Sequence, residues 1–146
     1  SGKIMQSGTP EDIYANSSNP FVANFIGMTN FIEGQVLDED SIKVDNQQIA
    51  INSHSYRKGT KVIIAARPEY VQLAEKNSSN TFVGRVVDVE FLGSFLRIHL
   101  ETSIMPDQPL IADKPMIDNF SKSVAIGDNL NFTLSPNHLN VYECDN

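Results

Sequence analysis

From Asn30 to Tyr142 the apolar residues recur at every second position, and no long helical pattern interrupts them. A chain patterned this way is committed to antiparallel strands, whose apolar faces must be buried against one another or closed into a barrel. The longest such stretch is Phe82 to Leu92. Its alternation places Val83, Val87, Val89 and Phe91 on one face and Asp88 and Glu90 on the other. Gly93-Ser94 then makes a tight turn. In Phe95 to Glu101, Leu96, Ile98 and Leu100 are expected inward and Arg97, His99 and Glu101 outward. The two runs predict one long hairpin.

The remaining strands are shorter. Phe31 to Leu37 contains Gly34, where a bulge or close packing is expected. Asp38-Glu39-Asp40-Ser41 turns the chain into Ile42-Lys43-Val44, and Asp45-Asn46-Gln47 turns it back into Gln48 to Ile51. Lys61 to Arg67 has an unbroken apolar centre, the mark of a strand covered on both faces. Pro68 ends it. Residues 75–80 read as a polar loop, and 102–115, with three prolines, as an irregular connection holding at most a short edge strand near Leu110-Ile111-Ala112. Asp118 to Ala125 carries a turn of helix or a loop. Asn129 to Leu134 alternates again, and Pro136-Asn137 returns the chain into Leu139 to Tyr142. Eight or nine short strands without a long helix predict a mostly β fold: a small β-barrel or a pair of packed barrels.

The first 27 residues differ. Lys3 to Gln6 reads as a short strand ending in a turn at Ser7-Gly8. Thr9 can cap a helix start, Pro10 suits the first helical position, and Asp12 can reach back to the cap. Asn19-Pro20 restarts the helix, Phe21, Val22, Phe25 and Ile26 give it an apolar stripe, and Gly27 stops it. A helical strap therefore precedes the β body.

The chemistry this sequence excludes is equally informative. With a net charge of -7 it should repel phosphate backbones, and the Arg57-Lys58 pair is too small for a basic groove. No apolar run is long enough to span a bilayer, and no signal peptide is expected. The single cysteine, Cys144, fits a reducing compartment. No phosphate-binding glycine loop occurs, since Gly59-Thr60-Lys61 lacks the leading glycine and its spacing. His54, His99 and His138 are isolated and give no metal-ligand spacing.

Gly2 to Tyr14, then Phe21-Val22-Ala23-Asn24-Phe25-Ile26-Gly27 and Asn30, resemble the end of the nucleotide-binding domain of ABC importer ATPases. Arg67-Pro68-Glu69 with Val71 and Leu73 resembles a later R-P-E signature of that family, and Phe82 to Gly93 resembles its glycine-bounded strand. The resemblance implies that residues 1–27 end the nucleotide-binding domain and form a helical linker. It implies that residues 28–146 form an OB-like barrel of the TOBE type, a regulatory and dimerisation domain without catalytic residues or metal. ATP and magnesium would belong to an N-terminal domain, and no cofactor to this stretch. Implied partners are a second copy of the subunit and, through the ATPase domain, a membrane permease; nucleic acid and direct membrane insertion are not expected. The implied location is the cytoplasmic face of the membrane.

Five residues are candidates for ligand or inter-subunit contact: Arg67, Glu69, Phe91, Gly93 and Ser94. Arg67-Pro68-Glu69 either joins two β subdomains or merely terminates a strand with a surface ion pair. Gly93-Ser94 is where backbone N–H groups could hold a small oxyanion, the alternative in which the barrel senses a solute or metabolite.

Overall fold

A computed structural model describes residues 28–73, 80–116 and 124–144. The expected strap at 1–27 and the segment at 118–123 lie outside these residues. Within them the chain forms ten strands in two five-stranded antiparallel sheets. These are β1 (Asn30–Asp38), β2 (Ser41–Val44), β3 (Gln47–Ala50), β4 (Lys61–Ala66), β5 (Val71–Leu73), β6 (Thr81–Phe91), β7 (Phe95–Thr102), β8 (Met105–Pro115), β9 (Asn129–Leu134) and β10 (Leu139–Glu143). The first sheet runs β10-β4-β1-β2-β3 and the second β5-β9-β6-β7-β8.

One apolar core serves both sheets. Ile32, Val36, Ile42, Ile49 and Ile64 of the first meet Phe82, Val86, Ile98, Leu100 and Phe132 of the second in a single buried cluster. β4 lies between β10 and β1, and Val62 to Ala66 are all buried, as its unbroken apolar run predicts. The second sheet curls until its outer strands meet: the Lys114 ammonium on β8 donates to the Val71 carbonyl on β5. This is the half-closed, barrel-like form expected of the pattern.

The long hairpin is present, with Leu96, Ile98 and Leu100 fully buried. One face assignment on β6 is corrected. Phe82, Gly84 and Val86 point inward and Val83 is 61% exposed, whereas Val89 packs on the core. A bulge at Val87, between the pairs Val86↔Leu100 and Asp88↔His99, reverses the parity, so Val83 and Val89 lie on opposite faces. The irregular connection expected over 102–115 is also corrected: it is largely β8, joined to β7 by a turn at Ser103-Ile104. Its prolines are tolerated because β8 is an edge strand, and Pro106 to Pro109 fall in a break of register between Leu100 and Thr102.

Gly34 packs closely, as expected: a Cβ there would lie 2.5 Å from Ile42 Cγ2 and 2.8 Å from the Lys43 carbonyl. At the β6–β7 turn only the first central residue, Gly93, has positive φ (80°), the arrangement of a type II′ hairpin turn. Leu92 N–H donates to the Phe95 carbonyl across it at 2.9 Å.

Candidate functional site

The chain passes between the sheets twice by the same device. Arg67, in extended conformation, leads from β4 into the 3-10 turn Pro68–Tyr70, and Val71 N–H donates back to the Pro68 carbonyl before β5. Ser135 leads from β9 into the 3-10 turn Pro136–His138, and Leu139 N–H donates to the Pro136 carbonyl before β10. In each, proline sets the φ of the first turn residue and holds the residue before it extended. Because β4 pairs with β10 and β5 with β9, the crossovers run side by side in opposite directions. Their third residues, Tyr70 and His138, stack with ring centroids 4.0 Å apart and planes 12° from parallel. The repeat was available in the sequence: Ser135-Pro136-Asn137-His138-Leu139 has the spacing of Arg67-Pro68-Glu69-Tyr70-Val71.

Two asparagines, neither among the five candidates, tie the sheets together. Asn30 opens β1 and is 2% exposed. Its Nδ2 donates to the Ile111 carbonyl at 2.9 Å and its Oδ1 accepts from Ile111 N–H at 2.8 Å. Ile111 stands opposite His99 on β7 with its own polar groups turned to the other edge of β8. The amide of Asn30 therefore replaces a missing neighbour strand there.

Asn80 does the same for β3. Its Oδ1 accepts from Ala50 N–H at 2.7 Å, while Nδ2 donates to the carbonyls of Ala50 (2.7 Å) and Leu134 (2.8 Å). Its own carbonyl accepts from Leu134 N–H at 3.1 Å. Asn80 adopts φ 65°, a left-handed conformation that asparagine tolerates better than most residues. With Lys114 at β5 and the Tyr56 hydroxyl reaching the Val141 carbonyl of β10 at 3.5 Å, each outer strand carries a side-chain cap. Capped edges resist pairing with another chain's strand.

The five candidates fall into two groups, one at the first crossover and one at the β6–β7 turn. Arg67 is half-buried and Glu69 exposed at the first crossover, which packs on β8. Tyr142 has its phenol raised above the ordinary value by burial and Tyr56, while the Arg67 charge pulls it back. Phe91 is 69% exposed at the end of β6, followed by Leu92 at 39%. Gly93 and Ser94 are exposed in the turn, where the Ser94 carbonyl accepts from Met116 N–H at 3.2 Å.

The outer face of the hairpin is a ladder of paired charges. Arg85 bonds Glu101 at 2.8 Å, His99 bonds Glu90 at 2.8 Å, and Arg97 makes a two-pronged bond to Asp113 at 2.9 and 3.0 Å. The Asp113 carboxylate holds the Arg97 guanidinium above its ordinary value. The exposed Arg85–Glu101 pair contributes little to stability, whereas the Arg97 and Asp113 side chains are only 20% and 12% exposed. Among the described residues no cluster of His, Cys, Asp and Glu is suited to a metal ion, and no helix is long and apolar enough to cross a membrane.

Spermidine/putrescine import ATP-binding protein PotA of Acetivibrio thermocellus is 32% identical over 140 residues, covering 96% of this chain and 37% of that protein. PotA of Clostridium acetobutylicum is 29% identical over 140 residues, with the same shares of 96% and 37%. Fe(3+) ions import ATP-binding protein FbpC 2 of Rhizobium meliloti is 32% identical over 124 residues, 77% of this chain and 31% of that protein. The chain thus spans little more than a third of the length of these relatives. Among solved structures, the cytoplasmic molybdate-binding protein ModG is similar with a TM-score of 0.66, over 80% of this chain and 97% of that one. At 12% identity, that likeness is one of fold. The TOBE domain family matches residues 64–141, from within β4 to within β10 and across both crossovers, and the chain belongs to that family.

Proposed function

We propose that this chain is the C-terminal regulatory and dimerisation part of the ATP-binding subunit of an ABC-type importer, supporting ATP-driven solute uptake without an ATPase site of its own. The observation that carries this reading is continuity: importer ATP-binding proteins align along 96% of the chain, and the TOBE domain match covers residues 64–141. ATP and magnesium would be held by the ATPase portion, which also meets the membrane permease. The assembly sits at the cytoplasmic face of the membrane, peripherally.

The role of the barrel is mechanical. A second copy supplies its partner, so that two ATPase portions stay joined while they open and close. The capped outer strands argue against joining by strand addition and in favour of side-chain contact. The exposed Phe91 and Leu92, beside the turn at Gly93-Ser94, offer such a contact. Arg67 and Glu69 hold the relation of the two sheets at the crossover.

Complementation tests the whole reading. The chain, joined behind the ATP-binding portion of a PotA relative in place of that protein's own C-terminal region, should restore ATP-dependent uptake. A stably expressed, membrane-bound hybrid that fails to do so overturns it.

A second reading, a barrel that senses a small solute or oxyanion and regulates transport, draws support from ModG, a molybdate-binding protein of like fold. Saturable thermal stabilisation by molybdate or a transported solute would favour it. The absence of any shift would leave the mechanical role.

A further inference from the structure

β6 runs further than the strand beside it. β9 pairs with it only from Thr81 to Arg85. Their approach closes with Val86 N–H donating to the Asp128 carbonyl and Gly127 N–H to the Val86 carbonyl, both at 2.8 Å. From Asp88 to Phe91, among the described residues, β6 pairs with β7 alone. The bond from Leu92 N–H to the Phe95 carbonyl sets the phase of that ladder. Antiparallel pairs alternate, so Glu90 exchanges bonds with Arg97 and Asp88 with His99, whereas the backbone groups of Val89 and Phe91 point away from β7. Val89 N–H is taken by Asp88 Oδ1 at 2.9 Å. The Val89 carbonyl and both backbone polar groups of Phe91 then face outward with no hydrogen-bond partner among the described residues. The outer strands are capped; this stretch of an inner strand is an edge left open. It ends in the exposed side chains of Phe91 and Leu92.

We propose that the open edge of β6 pairs with the same edge of a second copy, antiparallel about a two-fold axis at Phe91. Like charges directly opposite one another destabilise an antiparallel pair, whereas facing aromatic rings stabilise it. Centred on Asp88 or Glu90, the pairing sets two identical carboxylates face to face. Centred on Val89, it needs the N–H that Asp88 already holds and brings Asp88 against Glu90 of the second copy. Centred on Phe91, none of these conflicts arises. The two Phe91 residues exchange N–H···O=C bonds and bring their rings together on one face. Glu90 keeps its bond to His99 and stands opposite Leu92 of the second copy. The contact is short, because the chain turns away at Gly93, where φ is 80°. Association is therefore reversible. The proposal rests on the reading of the barrel as a joining module and deepens it: the side-chain contact at Phe91 is accompanied by backbone pairing in one register.

Cross-linking and hydrogen exchange on the whole chain test this. In a Cys144→Ser background, Glu90→Cys combined with Leu92→Cys places two thiols of different copies on residues whose Cα atoms stand about 4.5 Å apart, within disulfide reach. Mild oxidation should give a covalent dimer with that pair and none with Glu90→Cys alone. In the chain without these changes, the Phe91 amide should exchange freely when dilute. It should slow by about tenfold where nine copies in ten are paired, while β7 amides stay protected throughout and show that the barrel is folded. A dimer in sedimentation with a freely exchanging Phe91 amide, or one trapped by Glu90→Cys alone, would overturn the pairing and leave the joining role standing. Monomer at every concentration would overturn both.

Discussion

Replacing Asn30 by alanine isolates what holds the two sheets together. The substitution removes two hydrogen bonds to Ile111 from a site that is 2% exposed and leaves both polar groups of Ile111 without that partner. Each buried group so stranded costs about 1–3 kcal/mol, and partial access of water lowers the sum, giving about 2–5 kcal/mol. For a chain of this size that is a fall in Tm of roughly 5–15 °C. Asn30→Asp sharpens the test. A carboxylate can accept from Ile111 N–H, but it cannot donate to the Ile111 carbonyl and sets its charge against that oxygen. The folded-state pKa of such an aspartate must rise above its unfolded value. Its penalty is therefore present at neutral pH and relieved as pH falls through the folded pKa, where the protonated acid can donate again. Thermal melts of the native chain, Asn30→Ala and Asn30→Asp between pH 7 and about pH 4 measure both effects. The Asp variant should close on the native chain at low pH while the Ala variant stays apart. Parallel curves for all three, or a loss below about 0.5 kcal/mol for alanine, would refute the seam.

Asn80→Gly keeps the left-handed conformation and loses three side-chain bonds, whereas Asn80→Ala adds a backbone cost of about 1–2 kcal/mol. Chemical denaturation should place alanine below glycine and both below the native chain; equal midpoints would contradict the assignment. Gly34→Ala forces a Cβ against the Lys43 carbonyl and should lower stability by about 1–3 kcal/mol, so an unchanged urea midpoint would show that β1 and β2 can part freely. Although Glu33 lies on the exposed face of β1, partial desolvation first and Asp107 second hold its carboxyl above 4.5, with Lys61 opposing. Ionising it thus costs stability above its folded pKa, a cost that vanishes as pH falls below the unfolded value. Glu33→Gln should accordingly raise Tm at pH 7 and lose that advantage near pH 4.5. A gain of equal size at both would exclude ionisation as its source.

Local pattern carried much of the fold into view. Period-two alternation located β1 to β4, the long hairpin, β9 and β10, and the unbroken apolar run of β4 marked a strand covered on both faces. What escaped depended on neighbours distant in sequence. β8 was hidden by three prolines, which local reading treats as strand breakers; only its place at a sheet edge makes them acceptable. Val83 was misfaced because one extra residue at Val87 reverses the alternation, and nothing in the valine run marks where a bulge falls. Asn30 could be seen as the end of a motif, but its purpose lies 81 residues away at Ile111. Asn80 resembled one more residue of a polar loop. The second crossover could have been found by laying the two proline turns over each other, since proline, spacing and ring position all repeat.

Sedimentation velocity of the whole chain over a wide concentration range tests the central claim, that the barrel acts by joining another copy. The account predicts a reversible monomer–dimer equilibrium that Phe91→Ser shifts toward monomer without altering the melting curve of the fold. Monomer alone at the highest concentrations, or a dimer indifferent to Phe91 and broken instead by changes at the capped outer strands, would contradict it.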